Sequence, residues 1–323
     1  MKTLLFIILC IVVFGMSISV GKKIAIWKIE DIKYGDLKVK WNDSVGKLIK
    51  DVSYGDKEIQ KYDLYLPVNQ EKEKYSLIVH IHGGGFNSGD KSEGRILMKH
   101  LASEGYVAAS VNYSLMDDTH TSNLNVMYDE IIMAAEQIVK RSKEEGYEVN
   151  EMALTGESAG GCLAMLTAFQ HGNEAIVPIR FVFQESGPAS FEPSLWADTD
   201  DQGKIDFVNS MTGEIFTLSD INTEAYQAAI EKISPASYIN ENTIPMLIAY
   251  GVNDKIVPPA IKEPLLKRLE ECHVDYKYYE FPNSGHALLG DKDILRQYQN
   301  SILDYCNHYF MNSANRNLNF YKL

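Results

Sequence analysis

Three stretches of the sequence hold residue types that can do chemistry together. The first is Gly156-Glu157-Ser158-Ala159-Gly160-Gly161. It stands between a short β-rich run and an apolar helical run. Ser158 therefore falls on a sharp strand-to-helix turn that thrusts its hydroxyl out of the sheet edge. Glycines suit so tight a turn, because side chains would clash there. The helix start also offers free N–H groups and a positive dipole end. By composition alone a G-x-S-x-G pentapeptide arises in about one such chain in ten, so its weight comes from the strand–turn–helix context. The second stretch is His80-Ile81-His82-Gly83-Gly84-Gly85-Phe86. H-G-G-G arises by the same reckoning in roughly one chain in four hundred, which makes it much the more specific signal. It follows a strand directly. A run of glycines lets backbone N–H groups face a cavity, where such donors stabilise the oxyanion of an acyl-transfer intermediate. A nucleotide-binding loop is disfavoured, since no Lys-Ser/Thr pair follows.

The third stretch is a pair of sites near the C-terminus, Gly251-Val252-Asn253-Asp254 and Asn283-Ser284-Gly285-His286. Each follows a strand, so both belong to the rim that carries Ser158, where parallel sheets bind ligands. A serine hydroxyl is a poor nucleophile near neutral pH and needs an imidazole to take its proton. A carboxylate then fixes the imidazole's tautomer and stabilises its charged form. The chain order Ser158, Asp254, His286 is the one used by folds with a strand–serine–helix turn.

Rival residues are weaker. His82 belongs to the glycine loop and is read as a support of its shape. His80, two positions earlier on the strand, fits a core or loop-supporting role. His100, His171 and His308 fall in helical stretches, His120 in a polar loop and His273 at a helix end. Asp254 itself could cap the helix that follows Pro258. Asp291 and Asp293 come after His286 and are poorer orienting partners. Glu157 reads as an ordinary hydrogen-bonded or solvated carboxylate.

These groups need a scaffold, and the apolar pattern supplies one. Short β-like runs occupy 26–66, including 62–66. Strands are expected at 75–82, 106–113, 151–155, 179–183, 245–250 and 276–281. Helices are expected at 91–104, 126–145, 159–169, 259–272 and 292–310. Such alternation implies a mostly parallel central sheet with helices on both faces, an α/β architecture. Residues 187–240 break the rhythm. The segment is too long for a plain loop, carries the acidic run Asp198-Thr199-Asp200-Asp201 and turns helical near 223–232. It is expected to form an inserted cap or lid. Its Phe191, Trp196, Phe207 and Phe216 would line a pocket or form the cap's own small core.

Composition sets the outer limits. Of 323 residues, 45% are hydrophobic and 23% charged, which excludes a disordered chain and a polytopic membrane protein. The formal net charge of −13 argues against a nucleic-acid partner. Residues 1–21 join Lys2, an apolar run from Leu4 to Met16, and small residues at two candidate cleavage positions. This is the pattern of a secretory signal peptide, implying a secreted or periplasmic protein. The alternative is an uncleaved membrane anchor over residues 4–20, at the lower limit of a bilayer span. Residues 22–323 then form one catalytic domain with the cap inserted. Beyond Cys10 only Cys162, Cys272 and Cys306 remain, so at most one intramolecular disulfide is possible. No cysteine spacing suits zinc, and neither metal nor cofactor is expected.

The combination HGGGF plus GESAGG resembles the hormone-sensitive-lipase-like carboxylesterases of the α/β-hydrolase superfamily. The longer run HGGGFNSGDK is similar to glycine-loop esterases that act on plant-polysaccharide esters. The resemblance covers roughly residues 55–311. It implies the α/β-hydrolase fold, with Ser158 as nucleophile, His286 as base and Asp254 as its orienter. It also implies oxyanion donors at the N–H groups of Ala159 and Gly84, with Gly85 or Gly83. The implied substrate is a small-molecule or saccharide ester, with short acyl chains or acyl groups on plant-type saccharides. Gly251-Val252-Asn253-Asp254 followed by Ile256-Val257-Pro258 looks like the prolyl-oligopeptidase branch, which keeps exopeptidase or amidase activity as an alternative. A non-catalytic binding protein is the third reading, weakened by the intact Ser, Asp and His. The part up to about Ile49 has no counterpart and is expected to be a small β extension or a flap.

Overall fold

A computed structural model describes residues 27–68, 72–116, 122–196 and 199–311. The proposed leader or anchor and His120 lie outside the described residues. Eight strands form one sheet: β1 (Gly46–Ser53), β2 (Lys61–Pro67), β3 (Tyr75–Ile81), β4 (Val107–Val111), β5 (Val149–Glu157), β6 (Ile179–Glu185), β7 (Met246–Gly251) and β8 (Tyr276–Phe281). Their order is β1-β2-β4-β3-β5-β6-β7-β8. The β1–β2 and β2–β4 pairs are antiparallel and the remaining pairs parallel.

The central strands are apolar on both sides because both faces are covered. Alternation along the pleat divides their side chains between two cores. Leu77, Val79, Ile81, Val182, Met246 and Ile248 join α2 (Leu124–Glu144), α3 (Ala159–His171) and α6 (Lys262–Glu271) in one core. Ile78, Phe181, Phe183, Leu247 and Ala249 join α1 (Arg95–Ser103) and α7 (Lys292–Tyr309) in the other. Gly105 and Gly146, at the ends of α1 and α2, hold φ of +91° and +93°, a region open to glycine. The expected strands and helices are present, with strand ends displaced by a few residues.

Two stretches differ from the pattern reading. Residues 27–33 are helical rather than β-like. A turn at Gly35–Leu37 follows, and Tyr34 packs into the α1/α7 core. Polar contacts from Glu30, Asp31, Lys33 and Tyr34, described below, fix this segment where apolar periodicity gives no signal. In the 187–240 excursion, Asp200 and Asp201 of the acidic run begin a helix beyond the one expected near 223–232. Asp200 caps α4 (Asp201–Thr212), its Oδ1 accepting from Gly203 N at 2.7 Å. A second helix, α5 (Glu224–Ile233), packs against it.

The three cysteines among the described residues are free thiols. Burial pushes the thiol pKa of Cys162 and Cys306 up, so both are inert apolar fillers. Among the described residues there is no helix long and apolar enough to cross a membrane, and no cluster of His, Cys, Asp and Glu able to hold a metal ion.

Candidate active site

Ser158 ends the β5 ladder and begins α3. It holds φ +54° and ψ −126°, a conformation that costs a non-glycine residue about 1–3 kcal/mol. The turn is held from both sides. Ser158 N donates to Glu185 O at 2.8 Å, and Cys162 N donates to Ser158 O at 3.1 Å. Close approach explains the flanking glycines. A Cβ on Gly160 would lie 2.0 Å from Ile81 O, and one on Gly156 would lie 2.4 Å from Gly160 C. α3 therefore starts hard against the end of β3, and its first residue, Ala159, stands where helix N–H groups have no intrahelical acceptor.

The glycine loop leaves β3 beside this turn. A Cβ on Gly83 would sit 3.4 Å from Ser158 Cβ and 2.9 Å from Glu157 O, so the loop and the Ser158 turn are in contact. Gly84 and Gly85 take φ of +109° and +62°. The Gly84 carbonyl accepts from Asn87 N, Ser88 N and Ser88 Oγ, closing the turn. His82 lies beneath, fully buried and stacked on Tyr113 with ring centroids 4.4 Å apart. Its Nδ1 donates to Gly83 O at 2.7 Å, and Tyr113 Oη donates to His82 O at 2.9 Å. Burial pushes the His82 pKa down to about 4, which keeps the ring neutral.

Asp254 and His286 come from the loops after β7 and β8. His286 Nδ1 donates to Asp254 Oδ2 at 2.7 Å. Asp254 Oδ1 accepts from Ile256 N at 2.8 Å and Val257 N at 3.0 Å, so the carboxylate is fully engaged and almost wholly buried. Asp254 does not cap the helix that follows Pro258, whose first turn is headed by Pro258 itself. One of its oxygens closes the 254–257 turn and the other holds the imidazole. Among the described residues no hydrogen bond joins Ser158 Oγ to His286 Nε2. Catalytic bonds of this kind often close only when substrate is bound.

Two supports of the histidine loop escaped sequence reasoning. Asp291, set aside as an orienter of His286, accepts from Asn283 N, Asn283 Nδ2 and Ser284 Oγ and so braces the loop. Ser186 holds φ +51° and donates from Oγ to His286 O at 3.2 Å. Neither carries a local motif, because each acts through a partner distant in sequence or through loop shape. Glu157 bonds His80 Nε2 at 2.9 Å, as an ordinary hydrogen-bonded carboxylate. Its partial burial works to raise its pKa, but the His80 ring and the Lys33 charge reverse this and hold it at about 2.

In the excursion, Phe191, Trp196 and Phe207 pack together and line a cavity of about 190 Å³ with Pro193, Val208 and Tyr226. Phe216 takes the other expected role, packing edge-on against Tyr226 with ring centroids 5.3 Å apart.

Comparison with known proteins places this geometry in a family. The family model described as BD-FAE matches residues 62–269. Kynurenine formamidase of Danio rerio is 26% identical over 154 residues, 47% of this chain and 50% of that protein. "Probable carboxylic ester hydrolase LipM" of Mycobacterium tuberculosis is 26% identical over 230 residues, 66% of this chain and 50% of that protein. The chain thus spans about half the length of these two relatives. A solved "truncated form of carbohydrate esterase from gut microbiota" superposes with a TM-score of 0.67 at 16% identity, covering 82% of this chain and 96% of that one. That likeness establishes the α/β-hydrolase fold. The family match covers well over half of the chain, which therefore belongs to the BD-FAE family of α/β-hydrolase esterases.

Proposed function

We propose that the protein is a serine carboxylesterase working through Ser158, His286 and Asp254. The observation that carries this reading is the His286–Asp254 bond, at the same sheet rim as a serine held in a strained turn against the glycine loop. With Nδ1 donating to Asp254, the lone pair of a neutral His286 lies on Nε2. That nitrogen takes the Ser158 proton as Oγ attacks the ester carbonyl. The carbonyl oxygen gains the negative charge, which the N–H groups of Ala159, Gly84 and Gly83 or Gly85 are positioned in sequence to receive. Collapse expels the alkoxide, which takes the proton from His286 Nε2, and leaves an acyl group on Ser158. Water, deprotonated by His286, attacks that ester; the acid leaves as Ser158 Oγ takes the proton back from His286 Nε2. Every proton moves through His286, so the chemistry as drawn needs no metal or cofactor.

The proposed substrates are esters with short acyl chains or acyl groups on plant-type saccharides. The glycine-loop resemblance and the carbohydrate-esterase neighbour support this choice. The formamidase relative favours a second reading, hydrolysis of an amide by the same residues. A panel of p-nitrophenyl esters from acetyl to long acyl, acetylated and feruloylated saccharides, aryl formamides and aminoacyl anilides separates the two. Ester kcat/KM exceeding that of any amide by at least about a hundredfold is expected, and amide turnover matching the best ester would overturn the ester reading.

We also propose export directed by residues 1–21, on the strength of their sequence pattern. N-terminal sequencing of the exported protein is expected to begin at Val20 or Lys22. An intact Met1 in a membrane fraction would favour the anchor instead.

A further inference from the structure

The nucleophile turn is flanked by two carboxylates. Glu157 precedes Ser158, and Glu185 stands opposite Glu157 in the parallel β5–β6 register. They stand side by side on neighbouring strands, Glu157 partly exposed and bonded to His80, Glu185 buried. A charge on a buried carboxylate needs a partner. The residue placed to offset it is Lys33, from the helical stretch 27–33. It is buried and forms an ion pair with Glu185 Oε2. Tyr34 Oη donates to the other oxygen, Oε1, at 3.0 Å. Burial, opposed by the Glu157 charge, sets the Lys33 pKa at about 8.

Glu185 is tied to the site through its backbone. Its carbonyl receives the Ser158 N–H, and the next residue, Ser186, donates from its hydroxyl to His286 O. Glu185 and Ser186 thus join the Ser158 turn to the His286 loop. The segment carrying Lys33 is anchored elsewhere as well. Gln299 Nε2 of α7 donates to Lys33 O at 2.8 Å. Glu30 pairs with Arg95 and accepts from Ile96 N at the start of α1. All of 27–37 lies outside the family match, which begins at residue 62.

We propose that Lys33 and Tyr34 are positioning residues: the 27–37 segment is a strut that clamps Glu185 and so holds the Ser158 turn and the His286 loop in register. This goes beyond the esterase reading and rests on it. Removing Lys33 alone leaves a buried carboxylate uncompensated behind the serine, and β6 must shift or admit water to relieve it. A displacement of the reacting atoms by about 1 Å costs on the order of a hundredfold in rate.

The test is steady-state kinetics on p-nitrophenyl acetate, with active sites counted by burst titration with a phosphonate so that only competent enzyme enters kcat. Lys33→Met is expected to lower kcat about 10- to 100-fold with KM changed less than about threefold. Lys33→Met/Glu185→Gln removes both charges while keeping an acceptor for Tyr34. It is expected to recover at least about tenfold of the lost kcat, because the uncompensated charge is gone. Should Lys33→Met fail to fold, Tyr34→Phe removes only one hydroxyl and is expected to lower kcat about threefold to tenfold. The strut role is overturned if the folded single variants keep wild-type kcat per titrated site, whatever their melting temperatures. It is also overturned if the double variant is no faster than Lys33→Met. Failure of the esterase reading looks different, since the wild-type protein itself would then turn over no ester.

Discussion

Ser158→Ala is expected to lower kcat/KM for the best ester by about 10⁴- to 10⁶-fold. The substitution deletes the hydroxyl that the strained turn presents. Its neighbours are Glu157, whose carboxylate is engaged by His80, and Ala159. The fold should not change, because Ser158 is held through its backbone. Its N–H bonds Glu185 O, and its carbonyl accepts the first N–H of α3's ladder from Cys162. Alanine keeps both bonds. Far-ultraviolet circular dichroism should therefore be unaltered and the melting temperature should move by a few degrees at most, an effect of under about 1 kcal/mol for a surface-rim hydroxyl. A folded variant retaining a tenth or more of wild-type turnover would remove Ser158 from the mechanism.

Asp254→Asn carries the second large effect, about 10⁴-fold in kcat with KM nearly unchanged. The reason lies in the split duties of the carboxylate. An asparagine Oδ1 can keep the bonds from Ile256 N and Val257 N, which places its NH₂ group opposite His286 Nδ1. An NH₂ group donates and does not accept. His286 must then carry its proton on Nε2, where it has no lone pair for the Ser158 proton. The loop geometry is preserved while the base is disabled. A loss of less than about tenfold would mean that Asp254 serves only to cap the 254–257 turn, and that some other group orients the histidine.

The sequence reveals these side chains and hides what braces them. Leu77, Val79 and Ile81 alternate with Ile78 and His80, so β3 and its two-sided burial are readable from the pattern. The glycine loop and the serine turn are legible because backbone chemistry restricts them to few residue types. A Cβ at Gly160 or Gly83 would strike backbone atoms of Ile81 or Glu157, and Gly84 and Gly85 hold positive φ. Asp254 and His286 are legible by chain order and by their places after strands. The helix at 27–33 is not, because tertiary contacts hold it: Lys33 and Tyr34 to Glu185, Glu30 and Asp31 to Arg95. These partners lie at least 64 residues away in the chain, beyond the reach of any local pattern. Asp291 was undervalued for a related reason. Its position after His286 argues against contact with the imidazole, yet the loop turns back so that Asp291 meets Asn283 and Ser284. The start of helix α4 is marked in the sequence only by Asp200, whose side chain caps it.

Ser158 Oγ is proposed to attack the substrate carbonyl, and covalent trapping tests that role. The folded protein is treated with a serine-directed alkyl phosphonate, and the adduct is located by intact mass and peptide mapping. One phosphonyl group per chain is expected, on the peptide containing Gly156-Glu157-Ser158-Ala159-Gly160-Gly161, with loss of ester turnover in proportion to labelling. The adduct should be absent from Ser158→Ala and should form far more slowly in Asp254→Asn. A label on any other residue, or full loss of activity without a label on Ser158, would contradict it.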